Sequence, residues 1–190
     1  MNTIRVHSKD HINKIIIHCA ATPNGKAFNI VNIDQWHEER GFQRQAKDIE
    51  IKGHDFTWQK ELLDMNLLRY PEDIPGHVGY HYVIYVDGTI APGRHIWEQG
   101  AHVRGYNPES IGICMIGTDK FTSRQWTSLI TLLHVLRTKA GLHDAAILGH
   151  RDLDEKKACP CFDVGRWVDA CGLLRPGNQI WPPGAIVPAT

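Results

Sequence analysis

The chain has 190 residues, a length that suits one domain with a sizeable hydrophobic core. Its 21 lysines and arginines are balanced by 21 aspartates and glutamates, so we expect no attraction to nucleic acid or to an anionic membrane. No apolar run reaches the roughly 18 residues of a membrane-spanning helix, and the first residues lack the apolar core of a signal peptide. The sequence therefore predicts a protein made in the cytoplasm of the producing cell, and we expect it to be a monomer.

The first predicted element is a buried strand at residues 14–17, because a short run of β-branched residues fits a sheet core. A short helix is predicted next, with Asn32 or Asp34 as its N-cap and Gly41 as its stop. Residues 43–76 form a long connection in which Trp58, Leu62 and Met65 have helical spacing. This connection is expected to hold an extra helix.

A hairpin is predicted where residues 80–86 meet residues 89 and 90, since Asp87-Gly88 suits a tight turn. Residues 110–117 form another apolar strand, which contains Cys114, and a free buried thiol is the simplest interpretation of that cysteine. The five cysteines of the chain are an odd number, which argues against a disulfide framework.

The longest predicted helix begins after Thr122, which forms a capping-box pattern with Gln125. It ends at Gly141, and its apolar stripe consists of Trp126, Leu129, Leu133 and Leu136. Residues 145–148 form a short strand that leads to His150. Asp163 is the expected cap of a last helix, which stops at Gly172.

These elements predict one α/β domain over residues 1–174, with a central mixed sheet flanked by helices. Residues 43–76 are an insertion in that domain. The segment 175–190 is rich in proline and is expected to be an extended tail.

Two histidines stand at the ends of apolar strands, and a cysteine follows the second of them in a polar loop. His18, His150 and Cys159 are residue types that bind zinc, and three protein ligands leave a fourth position open for water, as in catalytic zinc sites. The alternative is that each histidine caps its strand by hydrogen bonding. The remaining solitary histidines are expected on surfaces or helix faces: His11, His37, His54, His134 and His143.

Lys157 lies two residues before Cys159, and Tyr80 opens the hairpin. Beside a zinc ion, the lysine could stabilise the oxyanion of a tetrahedral intermediate, and the phenol could donate to the reacting carbonyl or shuttle a proton. The alternatives are a solvated lysine in a charged loop and an aromatic residue that only packs.

Together these residues resemble a phage-type N-acetylmuramoyl-L-alanine amidase, of the zinc amidase superfamily that also includes peptidoglycan recognition proteins. The matching segments run in family order: Ile17-His18-Cys19-Ala20-Ala21-Thr22, Gln35-Trp36-His37, Gly79-Tyr80-His81-Tyr82, Asp87-Gly88-Thr89, Gly105-Tyr106-Asn107, Ser110-Ile111-Gly112-Ile113-Cys114 and Lys157-Ala158-Cys159-Pro160.

The resemblance implies that His18, His150 and Cys159 bind Zn²⁺ and that Tyr80 and Lys157 are the catalytic pair. It also implies a peptidoglycan substrate, and the expected substrate-binding residues are His81, His102 and Asn107. Such an enzyme resembles a phage endolysin, which would act on the cell wall after release from the producing cell.

The chain departs from the small phage enzymes in two places. They lack most of the 43–76 insertion, and their loop between the last two metal ligands is slightly shorter than residues 150–159.

Two alternatives stay open, a recognition module that binds muropeptide without cutting it and an amidase that also binds a polymerase. Recognition modules typically lack the ligand thiol, whereas Cys159 is present here.

Overall fold

The computed structural model describes residues 11–44, 57–73 and 75–172. In these ranges the chain forms five strands in one sheet and four α-helices. The strands are β1 (Lys14–Cys19), β2 (Tyr82–Ile84), β3 (Ile90–Pro92), β4 (Ser110–Met115) and β5 (Ala146–Gly149). The helices are α1 (Ile30–Glu39), α2 (Lys60–Asp64), α3 (Ser123–Thr138) and α4 (Val164–Cys171). The predicted α/β fold is confirmed, whereas the domain end at residue 174 and the tail lie outside the described residues.

The strand order in the sheet is β3-β2-β4-β1-β5. Neighbouring strands are parallel except β3, which pairs antiparallel with β2 in the predicted hairpin. The hairpin turn uses Gly88 at a φ of +88°, and the carboxylate of Asp87 accepts a hydrogen bond from the Thr89 amide. Since β1 and β5 are parallel and Ile17 pairs with Gly149, their carboxyl ends bring His18 and His150 together.

The two faces of the sheet have different environments. Ile15 and Ile17 of β1 belong to the large core cluster that also contains the buried residues of α3 and α4. Because side chains alternate along a strand, His18 points to the opposite face. There, a second apolar cluster joins α1 to Val83 of β2 and Cys114 of β4. The candidate site lies on this second face, at the carboxyl edge of the sheet.

The two C-terminal helices are capped as predicted. Thr122 and Gln125 form the capping box of α3, while Asp163 accepts a hydrogen bond from Arg166 at the start of α4. Gly172 ends α4 in the left-handed conformation, with a φ of +65°. The predicted apolar stripe of α3 is buried throughout: Trp126, Leu129, Leu133 and Leu136.

The predicted N-cap of α1 is wrong. The cap is Asn29, whose side-chain oxygen accepts from the Val31 and Asn32 amides, and the side-chain oxygen of Asn32 accepts in turn from the Asn29 amide. Asp34 instead accepts hydrogen bonds from residues 76–78. Several polar residues near the helix start could cap it, and only the fold shows which one does.

The described part of the insertion packs on the core. Trp58 and Leu62 are buried as predicted, but Met65 is 52% exposed because α2 is a short helix that ends before this residue. Residues 67–69 then pair with β3, as Ile90 donates to the Leu67 carbonyl and accepts from the Arg69 amide. This pairing covers an otherwise open sheet edge.

Both ends of the insertion are held by a buried group of charges. Arg44 makes a two-pronged ion pair with Glu98, with distances of 3.1 and 2.6 Å, and also donates to the Pro75 carbonyl. Arg94 lies 3.8 Å from the same carboxylate and donates to the Val78 carbonyl.

No helix in the described ranges is long and apolar enough to cross a membrane.

Candidate metal centre and active site

His18, His150 and Cys159 come together at the carboxyl edge of the sheet. Their potential ligand atoms all lie within 4.8 Å of one another, and Nδ1 of His18 is 3.7 Å from the sulfur of Cys159. Two ligands of one tetrahedral zinc ion are separated by about 3.3–3.8 Å, given zinc bonds of about 2.0–2.3 Å. The three side chains therefore fit a zinc ion with little movement.

Both histidines are in the form that binds metal. The pKa of His18 lies well below its ordinary value of 6.5, first because the side chain is buried and then because His150 and His37 are near. Burial also lowers the pKa of His150, and the charge of Lys157 lowers it further. At neutral pH both imidazoles are consequently neutral and have a lone pair for a metal.

The backbone positions the sulfur of Cys159. The amide of Cys19 lies 3.2 Å from this sulfur and donates to it, while the carbonyl of Cys159 accepts from the Arg151 amide. An N–H group that points at the sulfur stabilises negative charge on a thiolate. The end of β1 thus supplies one potential metal ligand, His18, and a hydrogen bond to another, Cys159.

His102 lies behind His18. Its Nδ1 is 3.1 Å from Nε2 of His18, and its Nε2 is 3.5 Å from the Ser110 hydroxyl. The ring fits between Gly100 and Gly112, where an added Cβ would lie only 2.5 and 2.6 Å from a ring carbon. These contacts orient His18 so that Nδ1 faces Cys159.

Tyr80 lies beside the same group of side chains, with its ring centroid 5.1 Å from that of His18. Its pKa is raised well above the ordinary value of 10, first by burial and then by the nearby thiols, of which Cys114 has the largest effect. The phenol therefore keeps its proton at neutral pH and is a hydrogen-bond donor. Cys114 is fully buried, as predicted.

His37 is a buried neighbour of the site that the sequence interpretation missed. We expected it on a surface, but it is 5% exposed, and its Nδ1 accepts a hydrogen bond of 2.9 Å from the Gly79 amide. Its ring centroid lies 5.3 Å from that of Tyr80. Burial lowers the pKa of His37 to about 4, so the ring remains neutral. The Gln35-Trp36-His37 motif was a signal that could have identified it.

Lys157 is exposed in the loop that precedes Cys159, and its backbone amide donates to the Asp154 carbonyl. Its ammonium is near enough to His150 to lower the pKa of that imidazole. Lys156 is also exposed. The effect on His150 favours Lys157 as the lysine that faces the site.

The other two expected substrate residues have structural partners. His81 is fully buried, and its Nδ1 accepts from the Gly112 amide while its Nε2 bonds the Glu98 carbonyl. This burial argues against the direct substrate contact that we expected for His81. The side-chain oxygen of Asn107 accepts from the amides of His102 and Val103, so it shapes the loop that presents His102.

Comparison with known proteins identifies the family. The family model of N-acetylmuramoyl-L-alanine amidases matches residues 8–162. The chain belongs to this amidase family. It is 31% identical over 182 residues to the endolysin of Enterobacteria phage K11, a match that covers 92% of this chain and 97% of the endolysin. The resemblance to phage-type amidases is confirmed.

Solved structures show that the fold is shared. An endolysin and N-acetylmuramoyl-L-alanine amidase of Clostridium intestinale, LysCS, superposes with a TM-score of 0.62 at 22% identity, and the match covers 92% of this chain and 93% of LysCS. Drosophila peptidoglycan recognition protein SD gives a TM-score of 0.53 at 19% identity, over 84% of this chain and 80% of the other. This amidase-family chain therefore has the predicted fold.

Proposed function

We propose that this chain is a zinc-dependent N-acetylmuramoyl-L-alanine amidase of the phage endolysin type. Its reaction is hydrolysis of the amide bond that joins the lactyl group of N-acetylmuramic acid to the L-alanine of the stem peptide. The observation that carries the proposal is the group of His18, His150 and Cys159 in a chain of this amidase family. Such an enzyme would act on the cell wall after release from the cell that makes it.

His18, His150 and Cys159 are the proposed zinc ligands. A zinc ion held there would lower the pKa of a water molecule toward about 7 and would polarise the carbonyl under attack. The chain contributes two neutral imidazoles, and the Cys19 amide donates a hydrogen bond to the sulfur of Cys159. His102 is a positioning residue, because its contact with Nε2 leaves Nδ1 of His18 for the metal.

Tyr80 and Lys157 are the proposed catalytic residues. The neutral phenol of Tyr80 and the ammonium of Lys157 would both donate hydrogen bonds to the oxygen that becomes negative when the amide carbonyl is attacked. Each such donor typically contributes a factor of about 100–1,000 to turnover. His37 supports Tyr80 because it binds the backbone amide of the preceding residue, Gly79.

The alternative functions are less favoured. A recognition module without catalysis has no need for a thiol beside two neutral imidazoles, and Cys159 is placed there. A second role in binding a polymerase would use surfaces such as the insertion at 43–76. The described part of that insertion mainly covers β3 and the core, and residues 45–56 lie outside the described ranges.

The products of peptidoglycan digestion test this function. Purified cell walls should release peptides with new L-alanine amino termini while the glycan strands stay intact, and mass spectrometry distinguishes these products. Chelation of the metal should stop the release, and added zinc should restore it. New reducing sugar ends, with no new alanine termini, would show a glycosidase and contradict the proposal.

A further inference from the structure

A pair of sulfur atoms lies beside the proposed zinc ligands. The sulfur of Cys19 is 3.9 Å from that of Cys161. Cys19 follows the ligand His18 on β1, and Cys161 follows the ligand Cys159 by two residues. The roles assigned so far use the backbone amide of Cys19 but neither of these two thiols.

The positions of the two residues in the chain explain how the thiols meet. Cys19 is the last residue of β1, and its side chain is hydrogen-bonded to Cys159 as well as close to Cys161. Cys161 lies in the turn between Cys159 and α4. Cys161 has a φ of +69°, and its amide donates to the Ala158 carbonyl, so a tight turn brings its side chain back toward β1.

The pair is not explained as part of a metal site. Among residues 11–44, 57–73 and 75–172, the only group of three or more metal-ligating side chains at suitable spacing is His18, His150 and Cys159. Cys19 and Cys161 do not belong to it. Since a disulfide has a sulfur–sulfur bond of about 2.05 Å, the two atoms need to approach by roughly 1.9 Å to bond.

We propose that Cys19 and Cys161 form a reversible disulfide that links the His18 strand to the Cys159 loop and leaves all three zinc ligands in place. Cys161 is partly exposed whereas Cys19 is 7% exposed, so Cys161 reacts first. Its thiolate attacks a small-molecule disulfide and displaces one thiol. Cys19 then attacks the sulfur of Cys161 and displaces the second thiol. Two protein thiols are oxidised and one small-molecule disulfide is reduced to two thiols.

The crosslink would stabilise the site because it joins two segments that are far apart in the sequence. The linked positions are 142 residues apart, and a disulfide that closes so long a loop strongly restricts the unfolded chain. The same restriction keeps His18 and Cys159 together when the metal leaves. Peptidoglycan lies outside the cytoplasm, and disulfides persist there because the surroundings are not reducing. The expectation that the crosslink forms after release therefore rests on the proposed function, whereas its chemistry does not.

Thiol counting on the full-length, zinc-loaded protein tests the crosslink. The protein is equilibrated with mixtures of reduced and oxidised glutathione, quenched with acid, unfolded and alkylated. After oxidation, the number of alkylated cysteines should fall from five to about three. Digestion without a reducing agent should yield a peptide that joins Cys19 to Cys161. Cys161→Ser should abolish this peptide, while the matched control Cys171→Ser, on α4, should retain it. Five alkylated thiols, glutathione bound to Cys161 without the link, or a link through Cys159 would overturn the proposal.

A second readout tests the consequence without relying on catalysis. The oxidised wild-type protein should melt on the order of 5 °C or more above the reduced protein, and it should lose zinc to a chelator several-fold more slowly. Both differences should vanish in Cys161→Ser and persist in Cys171→Ser. A crosslinked protein that melts and releases zinc like the reduced form would refute the stabilising role. Because neither readout uses peptidoglycan, failure here is distinguishable from failure of the proposed amidase activity.

Discussion

Replacement of His37 by glutamine should change how the stability of the protein depends on pH. The pKa of His37 falls from 6.5 to about 4 in the folded protein, chiefly through burial and then through the charges of Arg40 and Arg94. In the unfolded chain the imidazole takes up its proton near pH 6.5. His37 therefore favours the folded state less as the pH falls from about 6.5 to about 4, and below that window the loss is complete.

The size of the effect follows from the pKa difference. A shift of 2.5 pH units, from 6.5 to about 4, corresponds to about 3.5 kcal/mol at about 1.4 kcal/mol per unit. By pH 4.5 most of it is lost, and partial solvent screening reduces the expected effect to about 2 kcal/mol. His37→Gln keeps an acceptor for the Gly79 amide but does not titrate.

The assay is urea unfolding of the metal-free wild type and of His37→Gln near pH 7 and near pH 4.5. Metal-free protein is used at both values so that loss of zinc does not contribute. The wild type should lose about 2 kcal/mol more stability than the variant between the two values. His18 is present in both proteins, and only the contribution of His37 to its pKa, the smallest of the three causes, differs between them. Equal losses would refute the assigned pKa of His37.

Three further substitutions test the site and its support. Lys157→Ala should keep zinc and lose about a hundredfold or more in turnover, whereas Lys156→Ala should lose little turnover. A large loss in Lys156→Ala and a small one in Lys157→Ala would assign the oxyanion role to Lys156. Glu98→Gln leaves buried guanidinium charge unpaired and should cost about 3 kcal/mol in urea unfolding. Its control Glu109→Gln, in a more exposed ion pair, should cost under about 1 kcal/mol, and equal costs would contradict the anchoring role. His102→Ala should weaken zinc binding by about tenfold or more in chelator competition, and unchanged affinity would exclude its positioning role.

The elements and their order could be predicted because local patterns determine them. The apolar run of β1, the Asp87-Gly88 turn and the Thr122 capping box each specify a structure within a few residues. The meeting of His18 with His150 also follows from sequence, because both stand at the ends of apolar strands. Only the parallel pairing of β1 with β5 was needed to join them.

Contacts between distant segments could not be predicted in this way. The role of His37 depends on the Gly79 amide, 42 residues away, and on burial that only the packed chain produces. The same is true of the ion pair between Arg44 and Glu98, since each residue alone looks like a solvated charge. The prediction that Met65 belongs to the buried face of a helix was wrong for a different reason. Its spacing is helical, but α2 ends before this residue.

Zinc content measured together with turnover tests the central claim most directly. The wild-type protein should carry about one zinc per chain and release alanine-terminated peptides from peptidoglycan. Cys159→Ser should lose most of the metal and the activity together, because a hydroxyl is a poorer zinc ligand than a thiolate. The control is Cys171→Ser, which replaces a buried thiol on α4. It should retain both the zinc and the activity. Full zinc content and undiminished turnover in Cys159→Ser would contradict the account.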